Sequence, residues 1–184
     1  MRGKSHIELG NYLIDQYMPS LPVYYRSAFL IGCVQPDRNP ATYLKGSLRY
    51  QWLRGHNYLN ARRVMTRLCR RLEKKSDFSL FDYYTLGKLI HYTADAFTAA
   101  HNEFFCKSLR THRQYEASLQ NFFLSYLHCV SLPEIYNARN IMEGIQRYHR
   151  EYRTEAADIS RDTLFALRAC CLVVTFLMTP KIIP

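Results

Sequence analysis

Apolar residues recur along this chain at the spacing of a helix face almost throughout, and no segment alternates apolar and polar residues with strict period two. The pattern predicts helices over about residues 6–17, 22–33, 58–73, 80–100, 111–130, 131–152 and 159–178, and therefore an all-α fold without strands. Local chemistry supports several starts. Ser5-His6-Ile7-Glu8 and Ser131-Leu132-Pro133-Glu134 have the form of capping boxes, and Pro22 suits a first helical position. The stretch 34–46 contains Pro36, Pro40 and Gly46 and reads as a loop that carries Asp37.

Composition narrows the class. A hydrophobic fraction of 48% with 22% charged residues is that of a globular chain, and 184 residues without repeat, linker or low-complexity tract make a single helical bundle domain over 1–184. The longest apolar run, 169–178, is about half of the roughly 18 residues a membrane span requires, so it reads as a buried terminal helix. No apolar stretch follows the basic residues Arg2 and Lys4, so no signal peptide is expected. The six cysteines (Cys33, Cys69, Cys106, Cys129, Cys170, Cys171) form no CxxC pair and read as reduced thiols. Both points predict a cytoplasmic protein.

The formal net charge is +10, and seven basic residues crowd positions 60–75 against the single acid Glu73. Arg63, Arg67, Arg70 and Lys74 share one helical face. That face is either a solvated surface or a docking face for a polyanion, an anionic membrane surface or nucleic acid.

The histidines change the picture more. His91 and Asp95 stand four apart in a helical segment, and His112 and Glu116 repeat the spacing on the next helix. Paired His and carboxylate side chains on facing helices are how bundles build metal sites, and the ligand types suit zinc, manganese or iron. An unbroken helix to His101 would carry that residue about 9 Å along the axis from Asp95. The helix is therefore expected to end or bend at about Ala100, although Phe97-Thr98-Ala99-Ala100 contains neither Pro nor Gly.

The flanks read His91-Tyr92-Thr93-Ala94-Asp95, then His101-Asn102, then His112-Arg113-Gln114-Tyr115-Glu116. With Ser5-His6 ahead, Asp37 after it, and His56 in Gly55-His56-Asn57-Tyr58, this order resembles the zinc-dependent phospholipase C family and the related single-strand-specific fungal nucleases. The resemblance covers residues 5 to 116. It implies one zinc held by Asp37, His56, His91 and the bridging Asp95, and a second held by His101, His112 and Glu116. A third would be held by His6, the other oxygen of Asp95 and the amino terminus. The pattern departs at that third set, because the family uses a processed amino-terminal Trp lying further ahead of its first His. Here the chain starts at Met1 and only five residues precede His6. The third set is therefore expected to be weak or empty. His128 and His149 match no motif element and are expected to be structural.

The implied function is phosphodiester hydrolysis of the phospholipase C type, in which zinc ions polarise the phosphate and activate water. Asp37 is expected to orient or deprotonate that water. A phospholipid or another anionic phosphodiester is the implied substrate, drawn in by Lys45, Arg49 and Arg54. Two alternatives stay open. One is a single-strand nuclease, for which Tyr43, Tyr50 and Trp52 would stack bases. The other is a metal-binding protein of the same fold without catalysis.

Overall fold

In the computed structural model, which describes residues 1–39, 58–102, 109–131, 135–156 and 158–179, seven α-helices account for the regular structure. They are α1 (Gly3–Tyr17), α2 (Val23–Arg38), α3 (Tyr58–Leu72), α4 (Leu80–Ala96), α5 (Leu109–Cys129), α6 (Ile141–Tyr152) and α7 (Ile159–Met178), with a 3-10 turn at Ala99–His101. No strand occurs among the described residues. None of the described helices is long and apolar enough to cross a membrane.

The helix α4 lies at the centre, packed against α1, α2, α3 and α7. Accordingly it is buried almost all round from Leu89 to Ala96, and much of α7 from Phe165 to Val174 is buried as well. A helix that is apolar on every side belongs in the interior. By contrast α3 buries one stripe, Tyr58, Ala61, Met65, Cys69 and Leu72, and turns Arg62, Arg63, Arg67 and Arg70 to solvent. The five described cysteines are free thiols, four of them buried.

Two glycines allow a direct backbone contact between α2 and α4. Cβ atoms built at Gly32 and Gly87 would stand 2.2 Å from the Tyr84 carbonyl oxygen and 2.1 Å from that of Phe29, so only glycine lets these backbones touch. Tyr25 meets Tyr83 near one end of this pair and Cys33 meets His91 further along, so α2 and α4 run parallel. Their C-terminal turns meet the first turns of α1 and α5 at one end of the bundle, and the candidate site lies there.

Several boundaries differ from the sequence reading, each for a local reason. The helix α2 continues past Cys33 to Arg38 with Pro36 inside it. Pro36 merely forgoes the bond its missing N–H would make to the Gly32 carbonyl one turn earlier. Asp37 is therefore a helical residue and not a loop residue. The helix α1 starts at Gly3 with no side-chain cap, so Ser5 is a buried interior residue and not an N-cap. The helix α6 starts at Ile141, well beyond Ser131. Its cap is Asn140, whose side chain accepts the Glu143 N–H at 2.9 Å. Residues 132–134 of the expected capping box lie outside the described residues.

Candidate metal centre

The core of the site comes from the parallel pair α2 and α4. His91 Nδ1 donates to the Cys33 carbonyl at 2.8 Å, a bond only an N–H can make to a carbonyl. In the neutral ring Nε2 is then the lone-pair nitrogen. It stands 3.2 Å from Asp95 Oδ2 and 3.5 Å from Asp37 Oδ1. The close Gly32–Gly87 approach is what lets a backbone carbonyl of one helix orient an imidazole of the other.

The helix α1 adds a second layer. The His6 ring stacks on His91 with centroids 4.0 Å apart, and its Nε2 is 3.3 Å from Asp95 Oδ1. The short arm ahead of α1 folds inward. The Met1 amine donates to Asp95 Oδ1 at 2.6 Å and lies 3.6 Å from Glu116 Oε1. Asp95 thus divides its oxygens: Oδ1 faces His6 and the amine, and Oδ2 faces His91.

The third group sits where α4 stops. The helix ends at Ala96, earlier than the sequence suggested, and His101 returns on the 3-10 turn to put Nε2 3.6 Å from Asp95 Oδ2. Side chains, not Pro or Gly, hold this break. Thr98 Oγ1 contacts His101 Nδ1 at 2.7 Å, while Asn102 Nδ2 donates to the carbonyls of Ala96 and Thr98 at 3.0 and 2.8 Å. Opposite, His112 Nε2 stands 3.5 Å from Glu116 Oε1 on α5, and the His101 and His112 rings are 6.1 Å apart. These two α5 residues are partly exposed, at 33% and 18%, and form the open side of the centre.

Charge in the centre is strongly coupled. Burial alone would raise the Asp95 carboxyl, but His101, the amine, His91 and His6 together hold it well below its usual range. Burial, and then His91, push His6 down to about 3, so it stays a neutral imidazole. For His91 burial opposes the charge, but Asp95 and Asp37 outweigh it and hold the ring above its usual value. Burial and the neighbouring Asp95 push Asp37 up to about 6. A cation placed among these groups displaces protons, as metal sites do.

The donor set fits zinc. His6, His91 and Asp95 each offer a donor atom within 4.8 Å of the others. Among the described residues neither ring nitrogen of His6 has a hydrogen-bond partner, although the ring is fully buried. A buried polar atom left so is costly unless an ion satisfies it. Seven of the eight expected residues, His6, Asp37, His91, Asp95, His101, His112 and Glu116, thus come together. The eighth, His56, lies outside the described residues, as do Tyr43, Lys45, Arg49, Tyr50, Trp52 and Arg54. His128 is exposed on the last turn of α5. His149 is buried, stacked on Tyr58 at 3.6 Å, and donates from Nε2 to Asn102 Oδ1 at 3.1 Å.

Sequence reasoning missed the residues that hold the break after α4. Asn102 accepts from His149 of α6, and Asp162 of α7 accepts the Ala99 N–H at 2.8 Å. Neither pairing has a periodicity or spacing that points to it.

No curated protein and no solved structure matches the chain. The family model described as zinc dependent phospholipase C matches residues 5–159, which span most of the chain and all of the residues gathered at the centre except the Met1 amine. The chain belongs to the zinc dependent phospholipase C family.

Proposed function

We propose that this protein hydrolyses the phosphodiester of a phospholipid, using two zinc ions held between α1, α2, α4 and α5, with a weaker third. The observation that carries the reading is the clustering of four imidazoles and three carboxylates: the two oxygens of Asp95 face His6, His91 and His101, Asp37 stands against His91, and Glu116 against His112. The first ion would take Asp37, His91, Asp95 and, by the family resemblance, His56. The second would take His101, His112 and Glu116. The third would take His6, Asp95 and the Met1 amine, and it is the weakest because that amine already serves as the counter-ion of Asp95 and Glu116.

Bound zinc supplies Lewis-acid polarisation of the phosphoryl oxygens and brings the pKa of water down toward about 7. The chain's own residues do the rest. The Cys33 carbonyl and Thr98 hydroxyl orient His91 and His101 from behind, which keeps both Nε2 atoms aimed at Asp95. Asp37 is 29% exposed where Asp95 is 1% exposed, so it is the carboxylate that meets water and substrate. In this reading it orients the attacking water and accepts its proton.

The test joins metal analysis to a paired assay. Protein purified without a nickel step should carry at least two zinc ions per chain and cleave phosphatidylcholine in a zinc-dependent, salt-weakened manner. Cleavage of single-stranded DNA in place of the lipid would move the assignment to the nuclease branch. Two bound zinc ions with neither substrate cleaved would leave a metal-binding protein without catalysis. Less than one metal per chain, unchanged by added zinc, would overturn the reading altogether.

A further inference from the structure

One fully buried carboxylate near the centre has no part in the donor set. Asp162, in the first turn of α7, lies beyond residue 159, where the family match ends. A buried carboxyl costs several kcal/mol unless it is hydrogen-bonded, and here three donors reach it. The Ala99 N–H and the Tyr115 hydroxyl both donate to Oδ2, and the Tyr152 hydroxyl donates to Oδ1 at 2.6 Å.

Those donors come from the segments that matter for the second zinc set. Ala99 opens the 3-10 turn that ends at His101. Tyr115 lies on α5 between His112 and Glu116. The Ala99 N–H also donates to the Tyr115 hydroxyl oxygen at 3.1 Å, so amide, phenol and carboxylate form one closed triangle. One oxygen atom therefore ties the turn carrying His101 to the helix carrying His112 and Glu116. From the other side His149 and Asn102 clamp the same turn.

We propose that Asp162 is a positioning residue for the second metal set, holding the His101 turn and α5 at the separation at which His101, His112 and Glu116 share one ion. The inference rests on the metal reading given above. It adds a residue that touches neither metal nor substrate and acts through the backbone of one donor segment and a side chain of the other. Burial pushes the Asp162 carboxyl up to about 7 despite the Ala99 bond, so a neutral amide is close to it in both charge and shape. Asn at this position can accept from Ala99 through its oxygen and donate to a tyrosine oxygen through its nitrogen.

The test titrates cobalt(II), and separately zinc, into chelator-stripped full-length protein, and follows stoichiometry, affinity and the cobalt absorption spectrum. The parent should bind at least two ions. Asp162→Leu and Tyr115→Phe should each weaken the second ion at least ten-fold, giving the spectrum shown by His112→Ala and leaving the first ion unchanged. Asp162→Asn should restore two-ion binding. Tyr115→Phe removes one hydroxyl from the triangle and keeps the inference testable should Asp162→Leu fail to fold. The proposal is overturned if Tyr115→Phe and any folded Asp162→Leu protein bind both ions like the parent, or if Asp162→Asn is as defective as Leu. A parent that binds fewer than two ions would defeat the metal reading itself, a failure visible before any variant is made.

Discussion

The Gly32–Gly87 contact offers the most direct test of how the fold builds the site. A methyl group at Gly87 would sit 2.1 Å from the Phe29 carbonyl oxygen, 2.8 Å from the Cys33 nitrogen and 2.9 Å from the Gly32 Cα. Ordinary contact begins at 3.4 Å, and every one of these neighbours is backbone, so no flexible side chain can give way. In Gly87→Ala the two helices must part by roughly 1 Å, and overpacking of this kind costs about 3 kcal/mol, the upper end of the usual range. For a chain of this length that corresponds to a fall in Tm of about 6–12 °C. The same displacement acts on the site one turn away. It strains the 2.8 Å bond from His91 to the Cys33 carbonyl and carries Asp37 away from His91. Zinc affinity should therefore fall together with stability, by about ten-fold or more if the oriented imidazole is lost. Thermal unfolding with and without zinc, followed by competition against a chromophoric chelator, measures both. A Gly87→Ala protein with the parent's Tm and zinc affinity would refute the view that backbone contact between α2 and α4 fixes the donor geometry.

Other outcomes follow from single residues. Asp37→Asn should lower turnover by about 100-fold or more while the His101, His112 and Glu116 set stays loaded, checked by kinetics beside elemental analysis. A few residues added ahead of Met1 turn its amine into an amide and remove the cation lying 2.6 Å from Asp95, so the weakest zinc should be lost first. Full occupancy of three ions in such a protein would show that the amine is dispensable. His149 is pushed down to about 4, by burial first and then by Arg153 and Arg62, so the unfolded chain binds its proton more readily than the folded one. Stability should therefore fall as pH drops from about 6.5 toward 4, by about 2 kcal/mol from this residue. Denaturant unfolding of chelated His149→Gln should show a correspondingly flatter profile across that window than the parent.

The parts of the site legible in the sequence were those that obey a local period. His91 with Asp95, and His112 with Glu116, are each one helical turn apart, and that alone stacks them on a face. His6 and Asp37 carry no such signal; only resemblance to a family pattern placed them beside those pairs. Pro36 misled because proline is read as a breaker, whereas here it lies near the end of α2 and loses a single bond. The break after Ala96 was expected about a turn too late, because Asn102, itself held by His149 of α6, and Asp162 of α7 fix it through side-chain bonds and not through propensity. The start of α6 was misplaced for a similar reason. Asn140 caps it, and Glu73 from the end of α3 takes the Ile141 N–H at 2.7 Å, a partner 68 residues away.

The way four helix ends meet at the centre has a consequence for where cation affinity arises. Each helix carries a macrodipole equivalent to about half a negative charge at its C-terminus and half a positive charge at its N-terminus. Asp37 and Asp95 stand in the last turns of α2 and α4, while His6 and His112 stand near the first turns of α1 and α5. Two ends that attract a cation thus face two that repel it, and to first order the backbone contributions cancel. The attraction for a divalent ion must come from the side-chain carboxylates Asp37, Asp95 and Glu116. Neutralising any one of them leaves a deficit that the scaffold has no field of its own to make good.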